Sequence, residues 1–285
     1  MANDHFISRF LTAPWEEKPA RTLHFYDFTK GGFGRQSSES LFAQDGLHTK
    51  ETGDLLNKFI ESPVSQHRAD SLRRGQIIDP GKWELYRALV GLILLQGSRF
   101  PDQTPPGGET IDDLLRDPEG TLNGFAMVAR ERYTLISVTL PANSFPLFFP
   151  DTVYFPIPMV VTRPLLAVPL TPRMFIALPD KDYAEPSLDE WVKRNPSALS
   201  AFSVGLGSSA KKVLVPPDLH EQVKTGSESL GTMVRNNRIL AGKLFNKIGE
   251  ANAALGFPSF SVTEPEEPTP TFPVTEPEEP TPTPV

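Results

Sequence analysis

The sequence predicts an α+β protein in which a helical core packs on a sheet of short strands that prolines interrupt. Residues 82–100 carry the densest apolar run at helical spacing, and residues 133–178 consist of short β-branched and aromatic runs separated by prolines. Residues 258–285 repeat an acidic, proline-rich segment. The predicted organisation is one globular domain over residues 1–257, followed by a disordered tail over residues 258–285.

The composition limits the chemistry that this chain can carry. The 285 residues include no cysteine, which excludes a disulfide, a thiolate metal site and a cysteine nucleophile. The formal net charge is −7, and the tail contributes six glutamates to it without any lysine or arginine. The rest of the chain is nearly neutral and offers no bulk attraction to nucleic acid. The N-terminus lacks a basic region followed by an apolar run, so we expect no signal peptide and a cytoplasmic location.

Residues 82–100, KWELYRALVGLILLQGSRF, are expected to form a buried helix around which the rest of the chain is organised. Apolar residues recur at steps of three and four, and little polar surface remains between Ala88 and Leu95. A helix that is apolar all round is normally enclosed in a larger core. The apolar run is far shorter than the ~18–20 residues that cross a bilayer, so no membrane span is expected.

This helix ends with two polar residues on one face, Gln96 and Arg99. If that end is buried, both side chains need partners, because an unpaired buried amide alone costs ~1–3 kcal/mol. Two interpretations remain open. Gln96 and Arg99 form an ordinary cap and ion pair, or they line a polar pocket in which the guanidinium holds a carboxylate or a phosphate.

The elements before the central helix are less regular. Residues 22–28, TLHFYDF, alternate apolar and polar side chains as a short strand does, and GGFG at residues 31–34 is expected to be a turn. Residues 49–75 are expected to form a helix with a break at Pro63. Glu51 and Glu61 lie in or beside its apolar stripe, either as a solvated acidic edge or as inward carboxylates that meet the arginine of the central helix.

The elements after the central helix alternate between helix and sheet. Residues 110–132 and 226–255 carry helical periodicity, and between them the proline-interrupted sheet is followed by a capping pattern at the start of residues 187–200. GLGSSAKK at residues 205–212 is expected to be a mobile loop, with an anion-binding nest as the alternative.

The tail contains VTEPEEPTPT twice, at residues 262–271 and 274–283. Proline at this density forms neither helix nor sheet, and the acidic repeats repel one another. A spacer or solubility tail is expected, and the alternative of a proline-rich ligand lacks a basic flank.

The order of these pieces resembles the domain-of-unknown-function family 4238, a widespread bacterial group with no settled activity. DHFISRFL with His5 is similar to the start of that family, and KETGDLLNKFIES with Glu51 and Glu61 is similar to its helix with two glutamates. LILLQGSRF with Gln96 and Arg99 and the later VPLTPRMFIAL resemble two further motifs of the family.

The resemblance covers residues 3–255 and departs from the family at one turn. ISVTLPANSFP has Asn143 or Ser144 where the family usually has an aspartate. If that aspartate holds a metal or a proton in the family, this chain is expected to bind a ligand without catalysing its turnover.

Two functions follow from these observations. The first is a non-catalytic binding or interaction protein, which the near-neutral body and the absence of a nucleophile, HExxH or Walker motif favour. The second is a hydrolase acting on nucleotides or nucleic acid in bacterial defence, in which a histidine or glutamate is the base and an arginine stabilises charge. A metal held by a histidine and two carboxylates is conceivable, and no other cofactor is indicated. The candidate polar site comprises His5, Glu51, Glu61, Gln96, Arg99 and Asn143.

Overall fold

A computed structural model describes residues 3–5, 7–45, 48–68, 81–95, 110–157, 165–179, 181, 196–204 and 210–254. It confirms the α+β class. The described helices are α1 (Arg9–Thr12), α2 (Lys50–Leu56), α3 (Ser62–Arg68), α4 (Trp83–Leu95), α5 (Ile111–Leu114), α6 (Pro118–Arg132), α7 (Pro196–Ser203), α8 (His220–Lys224) and α9 (Glu228–Ala254).

The described strands are short and pair in an antiparallel manner. They are β1 (Asn3–His5), β2 (Glu16–Glu17), β3 (Thr22–Asp27), β4 (Gly32–Ser37), β5 (Ala43–Asp45), β6 (Ile136–Thr139), β7 (Phe149–Pro150), β8 (Phe155–Ile157), β9 (Leu165–Thr171), β10 (Met174–Ala177) and β11 (Lys212–Leu214).

Three sheets join these strands. β1 pairs with β5, and the strands of the predicted proline-interrupted region form a sheet in the order β6–β10–β9–β8. The third sheet has the order β2–β3–β11–β7, with β4 on the other edge of β3. The first half of β3 pairs with β2 and the second half with β11, so two distant parts of the chain meet along one strand.

Helix α4 is the buried helix that the apolar run predicts. Nine of its residues are buried, from Leu85 to Leu95, and all of them except Gly91 belong to the largest apolar cluster of the described chain. Gly91 lies against α6, because a Cβ placed on it would come within 2.5 Å of Leu122 Cδ2. Gln96 and the residues after it lie outside the described part of the chain.

The predicted break at Pro63 is wrong. The chain passes from α2 through a π-helical turn, Asn57–Glu61, directly into α3, which contains Pro63. Proline lacks an N–H, and its ring collides with a carbonyl of the preceding helical turn. A π turn is wider than an α turn, so the helix accommodates the proline and continues.

The GGFG prediction is wrong for three of its four residues. Gly31 lies in a turn with φ of 65°, a conformation that favours glycine, whereas residues 32–34 begin β4. Gly34 faces the Phe25 ring across the pair, since a Cβ would come within 2.6 Å of that ring. The glycine therefore gives the ring room rather than making the turn.

The long C-terminal helix is confirmed as α9, which packs against α7. The predicted helix start at Ser187 and most of the glycine-rich stretch at residues 205–212 lie outside the described residues. Within the described ranges, no helix combines the length and the apolar character needed to cross a membrane.

Candidate functional site

A cluster of ionisable side chains lies where β2, β3 and α8 meet. The cluster consists of Glu17, His24, His220, Glu221 and Lys224, and we call it the histidine cluster.

Backbone pairing explains why these residues meet. His24 lies on β3 where the pairing with β2 ends and the pairing with β11 begins. The N–H of Val215, the residue after β11, donates to the His24 carbonyl at 2.8 Å. From there a 3₁₀ turn over Pro217–Leu219 leads straight into α8, which brings the α8 side chains over the histidine.

The two histidines are buried and in contact. Their ring centroids are 4.4 Å apart with an interplanar angle of 35°, and only 1% of His24 and 5% of His220 is exposed. His220 Nε2 lies 3.0 Å from the carbonyl oxygen of Val215, and because a carbonyl only accepts, Nε2 carries the proton. His24 Nε2 lies 2.8 Å from the Glu17 carboxylate.

Positive and negative side chains alternate at the rim of the cluster. Lys224 Nζ donates to Glu17 and, at 2.8 Å, to Glu221. The hydrogen bond from Lys224, followed by the one from His24, lowers the pKa of Glu17 to about 2. The same glutamates raise the pKa of Lys224. Burial lowers the pKa of His220, so this ring is neutral at pH 7.

The histidine cluster is closed rather than open to a substrate. The His24 side chain is 2% exposed, its Nε2 is engaged by Glu17, and its Nδ1 is buried without a hydrogen-bond partner in the described chain. A general base must reach the proton that it abstracts, and neither ring nitrogen of His24 faces solvent. The arrangement fastens α8 to the β2–β3 pair. Among the described residues, no three histidine, aspartate or glutamate side chains are grouped so as to hold a metal ion.

A half-buried carboxylate, Asp151, occupies the region for which the sequence suggested an anion nest. Asp151 accepts hydrogen bonds from the backbone N–H groups of Lys211, at 3.1 Å, and Lys212, at 2.8 Å. Burial raises the pKa of Asp151 to about 6 in spite of these bonds. The two amides are therefore already bound to an acid from the chain itself. The rest of the stretch, residues 205–209, lies outside the described residues.

The structure describes four of the six residues of the predicted polar site. The His5 backbone lies in β1 opposite Ala43. Glu51 is exposed in the first turn of α2. Glu61 ends the π turn and accepts a hydrogen bond from the buried Ser8 hydroxyl. This bond ties the segment that follows β1 to the helix that carries Glu61.

Of the three remaining residues of the predicted site, the structure describes Asn143 alone. Asn143 is exposed in the turn after β6, where the next residue, Ser144, caps the turn by donating to the Pro141 carbonyl at 2.6 Å. Gln96 and Arg99 lie outside the described residues. Convergence on Arg99 therefore stays a prediction.

The sequence reasoning missed every member of the histidine cluster. The alternation of residues 22–28 predicts His24 on the polar side of a strand, but both sides of β3 are covered. Lys224 and Glu17 are separated by 207 residues, and no local pattern joins residues at that distance. The only available signal is the short HEQVK segment, in which charged residues flank the two buried residues His220 and Val223.

Large apolar side chains are exposed on three described helices, as the single residue Leu94 on α4, which is 45% exposed, and as pairs on α9 and α6. On α9, Leu240 is 58% and Leu244 is 37% exposed, one turn apart, and the neighbouring Lys243 and Lys247 are also exposed. On α6, Met127 is 57% and Val128 is 61% exposed. The two leucines on α9 share a helix face, as side chains at i and i+4 do, whereas Met127 and Val128 are consecutive residues that point about 100° apart on α6. We call the two sets the α9 face and the α6 face.

Comparison with known proteins adds no assignment. No protein-family model, no curated protein and no solved structure matches this chain. The resemblance to the domain-of-unknown-function family 4238 thus stays a prediction.

Proposed function

We propose that this chain is a non-catalytic binding protein whose contact surface for a partner protein is the α9 face. The observation that carries the proposal is the exposure of Leu240 and Leu244 on successive turns of a helix whose opposite side is anchored in the fold. Val234, Ala241 and Phe245 form that anchored side, and all three are buried.

The spacing of the exposed side chains indicates the mode of binding. Side chains at i and i+4 point in one direction from a helix, so both leucines can enter one apolar groove. Full burial of a leucine contributes about 1.5–3 kcal/mol, and the exposed fractions of Leu240 and Leu244, 58% and 37%, together amount to about one such side chain.

The charges on the α9 face indicate the kind of partner. Lys243 and Lys247 flank the leucines, and both are exposed. A groove with an acidic rim would complement these ammonium groups, whereas a basic rim would be repelled. We therefore expect a protein that offers an apolar groove edged with aspartate or glutamate.

The state of the buried polar groups supports binding over catalysis. The histidine cluster is closed by its own hydrogen bonds, and the Asp151 carboxylate is held by two backbone amides. His24 Nδ1 has no hydrogen-bond partner in the described chain, but it is buried as well, so the two histidines do not stand ready for a substrate.

The proposal is tested by comparing three tagged forms of the chain, expressed at native level in the cells that make it. They are the wild type, the double variant Leu240→Gln/Leu244→Gln, and the matched control Leu94→Gln, which removes a 45% exposed leucine from α4. We expect one set of proteins to co-purify with the wild type and the control, and to fall about tenfold or more with the double variant. Equal recovery with all three would overturn the proposal. Because Leu94, Leu240 and Leu244 are each only partly exposed, we expect a small decrease of the thermal midpoint in both variants, which is measured beside the recovery of the partner.

A further inference from the structure

The α9 face carries two parallel stripes of different character. Leu240 and Leu244 form the apolar stripe, and the exposed Lys243 and Lys247 form a basic stripe about 60° away around the helix axis. The exposed Glu250 lies beyond the lysines, on the side away from the leucines. Along the helix the apolar and basic side chains therefore alternate.

The acidic repeats that follow α9 in the sequence carry the complementary pattern. Each repeat, VTEPEEPTPT, has three glutamates among its prolines and no lysine or arginine. At the three residues per turn of a polyproline II helix, Val262, Pro265 and Pro268 share one side. Glu264 and Glu267 share the neighbouring side. An apolar stripe thus runs beside an acidic one, and the second repeat has the same order.

We propose that the first acidic repeat, residues 262–271, lies on the α9 face in the same direction as α9 and covers the face until a partner displaces it. The inference rests on the proposed function, since it concerns how access to the same face is regulated. In this direction the order of the repeat, apolar–acidic–apolar–acidic, meets the order Leu240, Lys243, Leu244, Lys247 on α9. The glutamates of the acidic stripe lie ~9 Å apart and the two lysines ~6 Å apart along their axes, a difference that long lysine side chains span.

The connection between α9 and the repeat is long enough for this arrangement. α9 ends at Ala254, and Leu240 lies about 21 Å before that end at 1.5 Å per residue. The eight residues from Ala254 to Val262 span up to about 29 Å when they are extended, so the first repeat reaches the leucine. The second repeat starts at Val274 and reaches the same stripes with a longer connection.

The tether decides how often the face is covered. Exposed ion pairs between lysine and glutamate are individually weak and are screened by salt. A segment joined through a short connection has an effective concentration of about 1 mM, so a contact with a Kd of that size is occupied about half of the time. A partner finds the face free only in the remaining fraction, which raises its apparent Kd about twofold.

The experiment is zero-length crosslinking of the full chain with a carbodiimide, which joins a carboxylate to an ammonium group as an amide with loss of water. At about 1 µM protein the tethered repeat exceeds a second copy about a thousandfold in effective concentration, so links form within one copy. Mass spectrometry should find tail glutamates linked to Lys243 and Lys247 at several times the yield of links to Lys50 and Lys58, which are also exposed. At about 1 M salt, where the Debye length is about 3 Å, this excess should be lost.

Two variants separate docking from the closeness of the tail to the end of α9. Leu240→Gln/Leu244→Gln should lower the yield of links to the two α9 lysines severalfold, because it removes the apolar stripe. The control Leu94→Gln should leave that yield unchanged. Equal yields at the α9 lysines and at Lys50 and Lys58, a yield that the double variant does not lower, or links that form only between isotopically distinct copies would each overturn the inference.

A further variant connects the contact with the proposed function. Replacing all six tail glutamates with glutamine should raise the recovery of the partner about twofold, because the face is then free more often. Unchanged recovery would overturn the regulatory role. If the double leucine variant leaves partner recovery unchanged, the proposed function fails, while the crosslinks still decide the tail contact. If recovery depends on the leucines and the crosslinks do not form, the tail contact alone fails.

Discussion

His24 and His220 lie in direct contact in the interior, and their environment decides how each nitrogen is used. The sheet and α8 remove both rings from water, which disfavours a charged imidazole. The His220 Nε2–H donates a hydrogen bond to the Val215 carbonyl, and His24 Nε2 lies within hydrogen-bond distance of the Glu17 carboxylate. Lys224 then balances the glutamate at the rim, where both side chains remain partly exposed. The result is a pair of buried histidines whose hydrogen bonds fasten α8 to the β2–β3 pair.

Acid should destabilise the protein through His220. Its pKa in the fold lies below the ordinary value of 6.5, so the unfolded chain binds a proton more readily. This contribution to stability is fully present above pH 6.5 and is lost as the pH falls below that value. The groups that face the ring are His24, Glu17 and Lys224, and of these only the lysine and a protonated His24 add repulsion.

The variant His220→Gln isolates this effect, because its amide can still donate to the Val215 carbonyl. Between pH 7.5 and pH 5.5 we expect the free energy of unfolding, measured in urea, to fall more for the wild type than for the variant. The carboxylates Glu17 and Asp151 also titrate differently in the fold, but both forms share them and their effect cancels in the difference. Parallel curves for the two forms would contradict the assignment.

At the scale of elements, two glycines have different positions relative to the contact between helices α4 and α6, which we call the α4–α6 seam. Gly91 allows the two helices to approach, whereas Gly124 lies on the open side of α6. Trp83 Nε1 and Arg87 Nη1 both donate to Asn123 Oδ1, at 3.3 and 3.2 Å, and fix the register of the same seam.

Two glycine-to-alanine substitutions should therefore change the free energy of unfolding in opposite directions. Gly91→Ala forces the buried Leu122 to move, and overpacking costs about 1–3 kcal/mol, which exceeds the gain in helix propensity of about 1 kcal/mol. Gly124→Ala meets nothing in the monomer and should stabilise it by about 0.5–1 kcal/mol. Chemical denaturation at low micromolar concentration measures both. Equal effects of the two substitutions would show that the seam does not lie where the structure places it.

The elements also show which features the sequence could predict. Helices α4 and α9 are long and periodic, so their apolar spacing was enough to locate them. The continuation of α2 into α3 was missed, because a proline is read locally as a break and the π turn that relieves it leaves no pattern of its own. The role of Gly34 was missed for a similar reason: the ring that it accommodates belongs to the neighbouring strand.

At the scale of the whole molecule, pairing between distant segments governs what can be inferred. β3 near the N-terminus pairs with β11 at residues 212–214, and this pairing creates the histidine cluster. Local periodicity carries no information on such a pair. The predicted site of His5, Glu51, Glu61, Gln96, Arg99 and Asn143 rested on chain order instead, and its convergence stays a prediction. The exposed faces of α6 and α9 emerge only when the packed sides of these helices are known.

The central claim is that the α9 face receives a partner protein, and photo-crosslinking in the native cells tests it most directly. Leu240, Leu244 and the control Leu94 would each be replaced by benzoylphenylalanine, which captures whatever lies against it on irradiation. The account predicts one protein adduct common to positions 240 and 244 and absent at position 94, because only the first two share a face. No adduct at 240 and 244, or the same adducts at all three positions, would contradict it.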